Sequence, residues 1–155
     1  MFEVEISRTR LDLSALNYRF AGGDESIGAL VSFTGLVRGN GIAAIEVEHY
    51  PGMTETVLRK QLESAAKRWP ITRGSIVHRI GYLPVSEPIV WVSVASAHRA
   101  AAFSACEFLM DFLKVDAPFW KKELDVDGVW KWVEARSQDQ SRASRWMGRD
   151  AATLI

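Results

Sequence analysis

The sequence predicts a mixed α+β domain with a mainly antiparallel sheet, two main helices and a C-terminal hairpin. Several short segments alternate apolar and polar residues, or are almost entirely apolar, as strands are. Two longer segments repeat their apolar residues at helical spacing, and turns containing Gly and Pro separate the elements. A chain of 155 residues fits one domain, which we place at 1–136, followed by a polar C-terminal tail at 137–155.

Strand signals dominate the N-terminal third of the chain. Residues 2–7 alternate apolar and polar side chains, as a half-buried strand does, whereas residues 11–22 are ambiguous. The run GALVSFTGLV (28–37) is almost entirely apolar or small, which predicts a strand buried on both faces. Alternation resumes over 42–50. Because only the short Gly-containing loop 38–41 separates these two strands, we predict that they pair as a hairpin.

The first main helix is predicted over 54–69. Its apolar residues recur about every 3.6 positions, and its other face is charged through Arg59, Lys60, Glu63 and Lys67. Two stretches rich in β-branched residues follow, at 75–83 and 89–95, with prolines between them. They are predicted as two further strands.

The second main helix is predicted over 97–114. It is apolar on almost every side, so we expect it to be buried over most of its surface. Ser96 is the expected N-cap, and Pro118 is expected to end the helix. One narrow polar stripe runs along it, formed by Ser104, Glu107, Asp111 and Lys114.

The C-terminal part of the chain predicts a hairpin and a tail. The turn residues at 125–128 connect a basic segment to a second strand at 129–135. From Ser137 the chain is polar and contains several arginines, a composition typical of a partly disordered terminus.

Charge and cysteine content argue against several classes of protein. The 19 basic residues balance 19 acidic ones, whereas nucleic-acid and membrane-surface proteins rely on net positive charge. One cysteine forms no internal disulfide, and no Cys/His cluster offers four zinc ligands, so we expect no metal and no other cofactor. The N-terminus lacks a signal-peptide pattern, and no apolar run approaches the roughly 20 residues that cross a bilayer. We therefore expect a soluble, cytoplasmic protein.

The standard nucleophile motifs are absent from the sequence. Cys106, the one thiol, lies on the apolar part of the predicted helix 97–114, so we interpret it as an inert core residue. The three histidines, His49, His78 and His98, are too scattered along the chain to predict a metal site.

Several basic residues stand at the ends of predicted elements, where they could form an anion site. Free N–H groups and the helix dipole favour an anion at the start of the helix 97–114. If these ends converge, the result is a cationic pocket for a phosphate or a carboxylate; otherwise the lysines are ordinary solvated charges. The sequence alone leaves both interpretations open. The residues are Arg38, His98, Arg99, Lys114, Lys121 and Lys122.

Seven segments resemble the large, catalytic subunit of molybdopterin synthase. They follow the family's order and cover most of residues 28–136. EHYPGMTE, the SAHR helix start and the segment LKVDAPFWKKE are together specific to this family. The segments are FTGLVRG (33–39), EHYPGMTE (48–55), RWPI (68–71), HRIGYLPVSE (78–87), SAHRAAAF (96–103), DFLKVDAPFWKKE (111–123) and WVEAR (132–136).

The resemblance implies a fold, a reaction and partners. The fold is a hammerhead-type α+β domain that forms a homodimer, which two small subunits complete as a heterotetramer. The reaction adds two sulfurs to cyclic pyranopterin monophosphate and gives the dithiolene of molybdopterin. The sulfur arrives as a thiocarboxylate on the C-terminal Gly-Gly of a small ubiquitin-like subunit. Because the substrate and the thiocarboxylate are both anionic, the chemistry needs cations. The family's reaction requires no cysteine nucleophile.

The resemblance also implies roles for individual residues. Lys114 matches the lysine most directly tied to catalysis, as an electrostatic stabiliser or a proton donor, and burial beside other cations would lower its pKa. Lys121 matches the second catalytic lysine. Leu36 departs from the family, which often has lysine there, and the dimer could share the pocket. The implied substrate-binding residues are Leu36, Val37, Arg38, His98, Arg99, Lys122 and Glu123.

Two other functions remain open from the sequence. The chain could be a non-catalytic module that holds a ubiquitin-like protein or a phosphorylated ligand, in which case Lys114→Ala would reduce affinity alone. It could also bind single-stranded nucleic acid through its six tryptophans and its basic residues, although a net charge of zero argues against this.

Overall fold

The computed structural model describes residues 1–134 and 136–147, and this part of the chain forms two four-stranded sheets and four helices. The predicted α+β class is confirmed. Residues 148–155 of the predicted tail, and Ala135 of the predicted second hairpin strand, lie outside the described residues. The elements are β1 (Phe2–Ser7), α1 (Leu13–Ala21), β2 (Ala29–Leu36), β3 (Ile42–His49), α2 (Met53–Arg68), β4 (Ile71–Arg79), β5 (Gly81–Pro84), β6 (Pro88–Ser96), α3 (Arg99–Val115), β7 (Phe119–Asp125), β8 (Trp130–Val133) and α4 (Ser137–Ser144).

Sheet A has the strand order β1-β4-β6-β2, in which β1 and β4 are parallel and the other pairs are antiparallel. The helices α2 and α3 pack on one face of this sheet, where Leu58, Leu62, Val92 and Leu109 are fully buried. Burying aliphatic side chains at this density supplies most of the driving force for folding. The opposite face holds a smaller cluster, in which Trp91 packs with residues of α1.

Sheet B has the strand order β5-β3-β7-β8, and all its pairs are antiparallel. Alternation along β3 is clear, because Ile45 and Val47 are buried while Glu46 and Glu48 are not. The predicted hairpin at the C-terminal end is confirmed as β7 and β8, with Lys121 opposite Val133.

The predicted hairpin between 28–37 and 42–50 is wrong. β2 pairs with β6 in sheet A, whereas β3 pairs with β5 and β7 in sheet B, so the chain changes sheet between residues 36 and 42. The predicted burial of β2 on both faces is also wrong, since Leu30, Phe33 and Leu36 are 40–52% exposed. The reason is that β2 is an edge strand flanked by β6 alone.

The two main helices are confirmed as α2 and α3, with a different N-cap for α3. The N-cap residue is His98 rather than Ser96. The Ser96 hydroxyl is used elsewhere: it donates to the Pro70 carbonyl (2.9 Å) and accepts from the His98 N–H (3.3 Å). The helix ends at Val115, before Pro118. No helix in the described residues is both long and apolar enough to cross a membrane.

Candidate functional site

Two stacked rings join the sheets at the candidate site. His78, near the end of β4 in sheet A, stacks on Phe119, the first residue of β7 in sheet B, with ring centroids 3.9 Å apart and planes 16° apart. The His78 Nδ1 lies 2.7 Å from the Arg79 carbonyl oxygen. Since a carbonyl can only accept, Nδ1 holds the proton of the neutral ring. Burial lowers the pKa of His78 to about 4, so this ring is neutral at physiological pH.

A second histidine lies beside this stack. His49 is opposite Phe119 in the β3–β7 ladder, and its side chain is 11% exposed. Its Nε2 is 3.9 Å from Oε1 of Glu55, at the start of α2. The two histidines are close enough for the charge of a protonated His49 to contribute to lowering the pKa of His78.

The turn before α2 attaches that helix to the start of β7. The buried Thr54 hydroxyl donates to the Pro118 carbonyl (3.2 Å) and accepts from the backbone N–H of Tyr50 (3.0 Å). Gly52 has a φ of 81°, which glycine adopts without strain, and its N–H donates to the Glu55 carboxylate (2.8 Å). The segments EHYPGMTE and APFWKKE, which are distant in sequence, are therefore in direct contact.

Lys114 and Lys121 come together at the same place. Alternate residues of a strand share a face, so Lys121 lies on the same face of β7 as Phe119. Lys121 is half-buried, and burial followed by the charge of Lys114 lowers its pKa. The expectation that Lys114 is buried is wrong for the isolated chain, because Lys114 is exposed at the last turn of α3.

Arg38 lies at the same end of sheet A as Lys114. Leu36 is opposite Pro88 at the start of β6. Helix α3 begins after the other end of β6 and packs back along that strand, so its last turn, which contains Lys114, lies toward the start of β6. Val37 is buried, with its N–H donating to the Glu87 carbonyl (3.0 Å), while Leu36 and Arg38 are exposed. Arg38 is thus free to meet an anion at this end.

The structure separates His98 and Arg99 from the lysines. Both are exposed at the N-terminus of α3, whose C-terminal turn contains Lys114. At 1.5 Å per residue, the backbone of Arg99 is roughly 22 Å from that of Lys114. Within one chain these residues therefore do not form a single pocket.

Lys122 and Glu123 lie on opposite faces of β7. Lys122 projects away from Lys121, where its Nζ is 3.4 Å from a Glu46 carboxylate oxygen and 3.9 Å from one of Glu48. It also lies over the rings of Trp130 and Trp132, at 5.3 and 5.4 Å from the centroids. Glu123 shares the face of Lys121, and its charge opposes the lowering of the Lys121 pKa. Lys122 is therefore not part of the lysine cluster in this chain, because neighbouring strand residues point to opposite faces.

Cys106 is buried on α3, as the sequence predicted. Burial, with a smaller contribution from Glu107, raises the pKa of its thiol to about 11. A thiol in this state is a poor nucleophile at neutral pH. Among residues 1–134 and 136–147, no group of three or more His, Cys, Asp and Glu side chains is arranged to hold a metal ion.

Comparison with known proteins assigns the chain to a family. The family model described as MoaE protein matches residues 6–116. The chain belongs to the MoaE family. A member from Pseudomonas aeruginosa, named molybdopterin synthase catalytic subunit, is 51% identical over 139 residues, which cover 87% of this chain and 89% of that protein.

Solved structures share the MoaE fold. The molybdopterin biosynthesis MoaE protein from Burkholderia ambifaria is 46% identical and superimposes with a TM-score of 0.81, covering 94% of this chain and 98% of that one. A chain from Helicobacter pylori, solved as a complex of subunits 1 and 2 of the molybdopterin-converting factor, has a TM-score of 0.70 at 21% identity, with 87% and 91% covered. This second likeness concerns the fold alone.

Sequence reasoning missed His49 and His78 as members of the site in this MoaE chain. Both occur in segments that match the family, EHYPGMTE and HRIGYLPVSE, and both lie at the end of a strand. That position was the available signal, because residues where buried strands end are well placed to line a site. Their proximity itself depends on the packing of the two sheets.

Proposed function

We propose that this chain is the catalytic subunit of molybdopterin synthase. It transfers sulfur from the thiocarboxylate of a small ubiquitin-like subunit to cyclic pyranopterin monophosphate, and the product is the dithiolene of molybdopterin. The main support is that Lys114 and the half-buried Lys121 lie close together at the junction of the sheets. The chain is also 51% identical, over 139 residues, to a protein named molybdopterin synthase catalytic subunit.

The two lysines have different properties and therefore different proposed roles. Lys114 is exposed, so its side chain is accessible to the anionic thiocarboxylate or to charge that develops on the pterin. Lys121 has a lowered pKa, which brings it closer to the range in which a lysine gives up its proton readily. We assign electrostatic stabilisation to Lys114 and proton donation to Lys121.

Arg38, with Leu36 and Val37 before it, forms the proposed rim of the substrate pocket. Arg38 is exposed at the end of sheet A nearest Lys114, where a guanidinium can bind two oxygens of a phosphate at once. Leu36 is 52% exposed and presents an apolar side chain at this rim. Glu123 is proposed to raise the pKa of Lys121 through its negative charge. Lys122 would have to break its ion pairs with Glu46 and Glu48 before it could bind substrate.

His98 and Arg99 are proposed to act from a second copy of the chain. Their distance from Lys114 along α3 prevents a joint site within one chain, and both side chains are exposed. A homodimer that sets the N-terminus of one α3 beside the lysines of the other copy would complete the cationic pocket. Two small subunits would then make the heterotetramer. A cytoplasmic location stays a prediction.

The decisive experiment is single-turnover conversion of cyclic pyranopterin monophosphate by this protein mixed with a thiocarboxylated small subunit. Dithiolene product is expected from the parent and from Lys60→Ala, a control at an exposed lysine on α2. Lys114→Ala is expected to lose turnover while still binding the small subunit. No product from a folded parent that binds the small subunit would instead support a non-catalytic binding module.

A further inference from the structure

The polar stripe of α3 is the docking surface of the C-terminal helix. Arg142 on α4 approaches Glu107 at 2.7 Å, and Arg145, just beyond α4, also approaches Glu107 at 2.7 Å. Both arginines also reach Asp111, at 3.4 Å from Arg142 and 2.8 Å from Arg145. Two members of the stripe, Glu107 and Asp111, therefore form ion pairs with the C-terminal segment.

Asp111 is the centre of this contact. Its side chain is 8% exposed, and it accepts hydrogen bonds from Arg142, Arg145 and the indole N–H of Trp146, the last at 2.7 Å. A buried carboxylate requires such partners, because an unpaired charge away from water is strongly destabilising. Asp111 and the segment 136–147 therefore depend on each other.

Trp146 fixes the end of this segment against the core. Its ring packs edge-on against Trp69 and Phe108, with centroids 5.5 and 5.6 Å apart. Its carbonyl accepts from Arg68 at the end of α2 (3.0 Å). The segment is thus held at its C-terminal end by both apolar packing and hydrogen bonds.

The other end of the segment faces the lysine site. Val133, three residues before Arg136, is opposite Lys121 in the β7–β8 ladder, so the start of α4 lies near that lysine. The charges of Arg136 and Asp139 accordingly act on Lys121. From there the segment reaches Glu107 and Asp111 through Arg142 and Arg145, and Trp146 at its far end contacts Arg68 and Trp69. The charged and titratable groups that act on Lys121 are Lys114 from α3, Glu123 from β7, and Arg136 and Asp139 from the C-terminal segment, while His78 from β4 feels Lys121 in turn.

We infer that Asp111 is a positioning residue of the lysine site: it fixes the segment 136–147 on α3 and thereby holds Arg136 and Asp139 beside Lys121. The effect of Asp111 on the rate of sulfur transfer rests on the proposed function. Its effects on the position of the segment and on the pKa of Lys121 do not. Asp111 is covered by Arg142, Arg145 and Trp146 and does not itself contact the substrate. It acts through the placement of α4.

The first test uses the whole chain without any substrate. Asp111→Asn keeps the shape of the side chain and removes its charge, and Asp116→Asn is the matched control at an exposed acid just beyond α3. Amide hydrogen exchange in 137–147 is expected to accelerate about tenfold or more in Asp111→Asn, because charge-assisted bonds are lost, and to stay unchanged in the control. Unchanged protection in a folded Asp111→Asn variant would overturn the inference.

The second readout is the titration of the Lys121 ammonium group, followed by heteronuclear NMR. Arg136 lowers the Lys121 pKa more than Asp139 raises it, so release of the segment is expected to raise that pKa. A released segment with an unchanged Lys121 titration would also overturn the inference. If Asp111→Asn does not fold, the pair Arg142→Gln/Arg145→Gln on the surface of the segment is measured in the same way, with the same expected and contrary results.

Sulfur transfer separates this inference from the proposed function. In Asp111→Asn we expect a lower kcat with a nearly unchanged KM for the pterin, and rescue toward the parent rate by Asp111→Glu. An inactive parent whose Lys121 titration still responds to Asp111→Asn would remove the proposed function and keep the positioning role. An active parent with an unchanged kcat in a variant whose segment is released would remove the positioning role alone.

Discussion

The imidazole of His78 lies flat on the ring of Phe119, and this pair connects the two sheets beside Lys121. His78 belongs to β4 in sheet A and Phe119 to β7 in sheet B. Lys121 follows Phe119 by two residues on the same face of β7, so the stack is part of the strand segment that presents the lysine. The stack therefore links the stability of the sheet junction to the geometry of the candidate site.

Replacing His78 should show what the stack contributes. His78→Ala removes the ring and leaves a cavity, so we expect a loss of about 2–4 kcal/mol in the free energy of unfolding. His78→Phe keeps a stacking ring but leaves the Arg79 carbonyl without its partner, so the expected loss is about 1 kcal/mol. Urea denaturation at neutral pH measures both values. Equal losses in the two variants would show that stacking is unimportant.

The stability of the protein should fall as the medium becomes mildly acidic. The pKa of His78 is about 4 in the folded chain and 6.5 for an ordinary histidine, so the unfolded chain binds more protons between these values. Stability therefore rises with pH across this window and is lost as pH falls through it. Between pH 7 and pH 4.5 the loss from His78 is about 2 kcal/mol.

His78→Phe is the control for this pH dependence. Urea denaturation of the parent and of this variant at both pH values isolates the contribution of His78, because the carboxylates titrate in both proteins. The parent should lose the larger amount. An equal loss in the two proteins would place the acid sensitivity in other groups.

The charge of Lys114 should lower the pKa of Lys121. Lys114→Gln removes the second largest cause of the lowered Lys121 pKa and leaves the largest, burial, in place. We expect the Lys121 pKa to rise without reaching its ordinary value. Heteronuclear NMR of the Lys121 ammonium group measures this, with Lys60→Gln on α2 as the control that leaves it unchanged. No change in Lys114→Gln would mean that the two lysines do not interact.

Arg38 should contribute to binding an anionic substrate. Charge reversal in Arg38→Glu is expected to weaken binding of cyclic pyranopterin monophosphate by about 1–3 kcal/mol, because it replaces an attraction by a repulsion. Calorimetry on the complex with the small subunit measures the affinity. Arg19→Glu, on α1 at the opposite face of sheet A, is the matched charge reversal and should bind as the parent does. Unchanged affinity in Arg38→Glu would remove Arg38 from the site.

Cys106 should be dispensable for sulfur transfer. Cys106→Ala is expected to retain transfer and to lose about 1 kcal/mol or more of stability through the vacated volume. In the native parent the thiol, with its pKa raised to about 11 by burial, should react with a disulfide reagent far more slowly than in the unfolded chain. A folded Cys106→Ala protein without activity would assign the thiol a catalytic role.

Local patterns were enough to predict much of this protein. Periodicity located α2, α3 and β1, the turn at 125–128 located the C-terminal hairpin, and the apolar surroundings of Cys106 predicted its burial. These features depend on residues close together in the chain, for which spacing and turn chemistry are sufficient. The matching segments likewise identified the family, because such a match depends only on the residue types and their order along the chain.

Only the tertiary structure decided which elements meet. The short loop after β2 suggested a hairpin, yet β2 and β3 belong to different sheets. β2 pairs with β6 and β3 pairs with β7, both of which are distant in sequence. The same packing brings His49 and His78 together and pairs Lys122 with Glu46 and Glu48 of β3. It also covers Asp111 with the C-terminal segment. Strand partners, and the face that a side chain takes, depend on burial shared between residues far apart in sequence, which no local pattern contains.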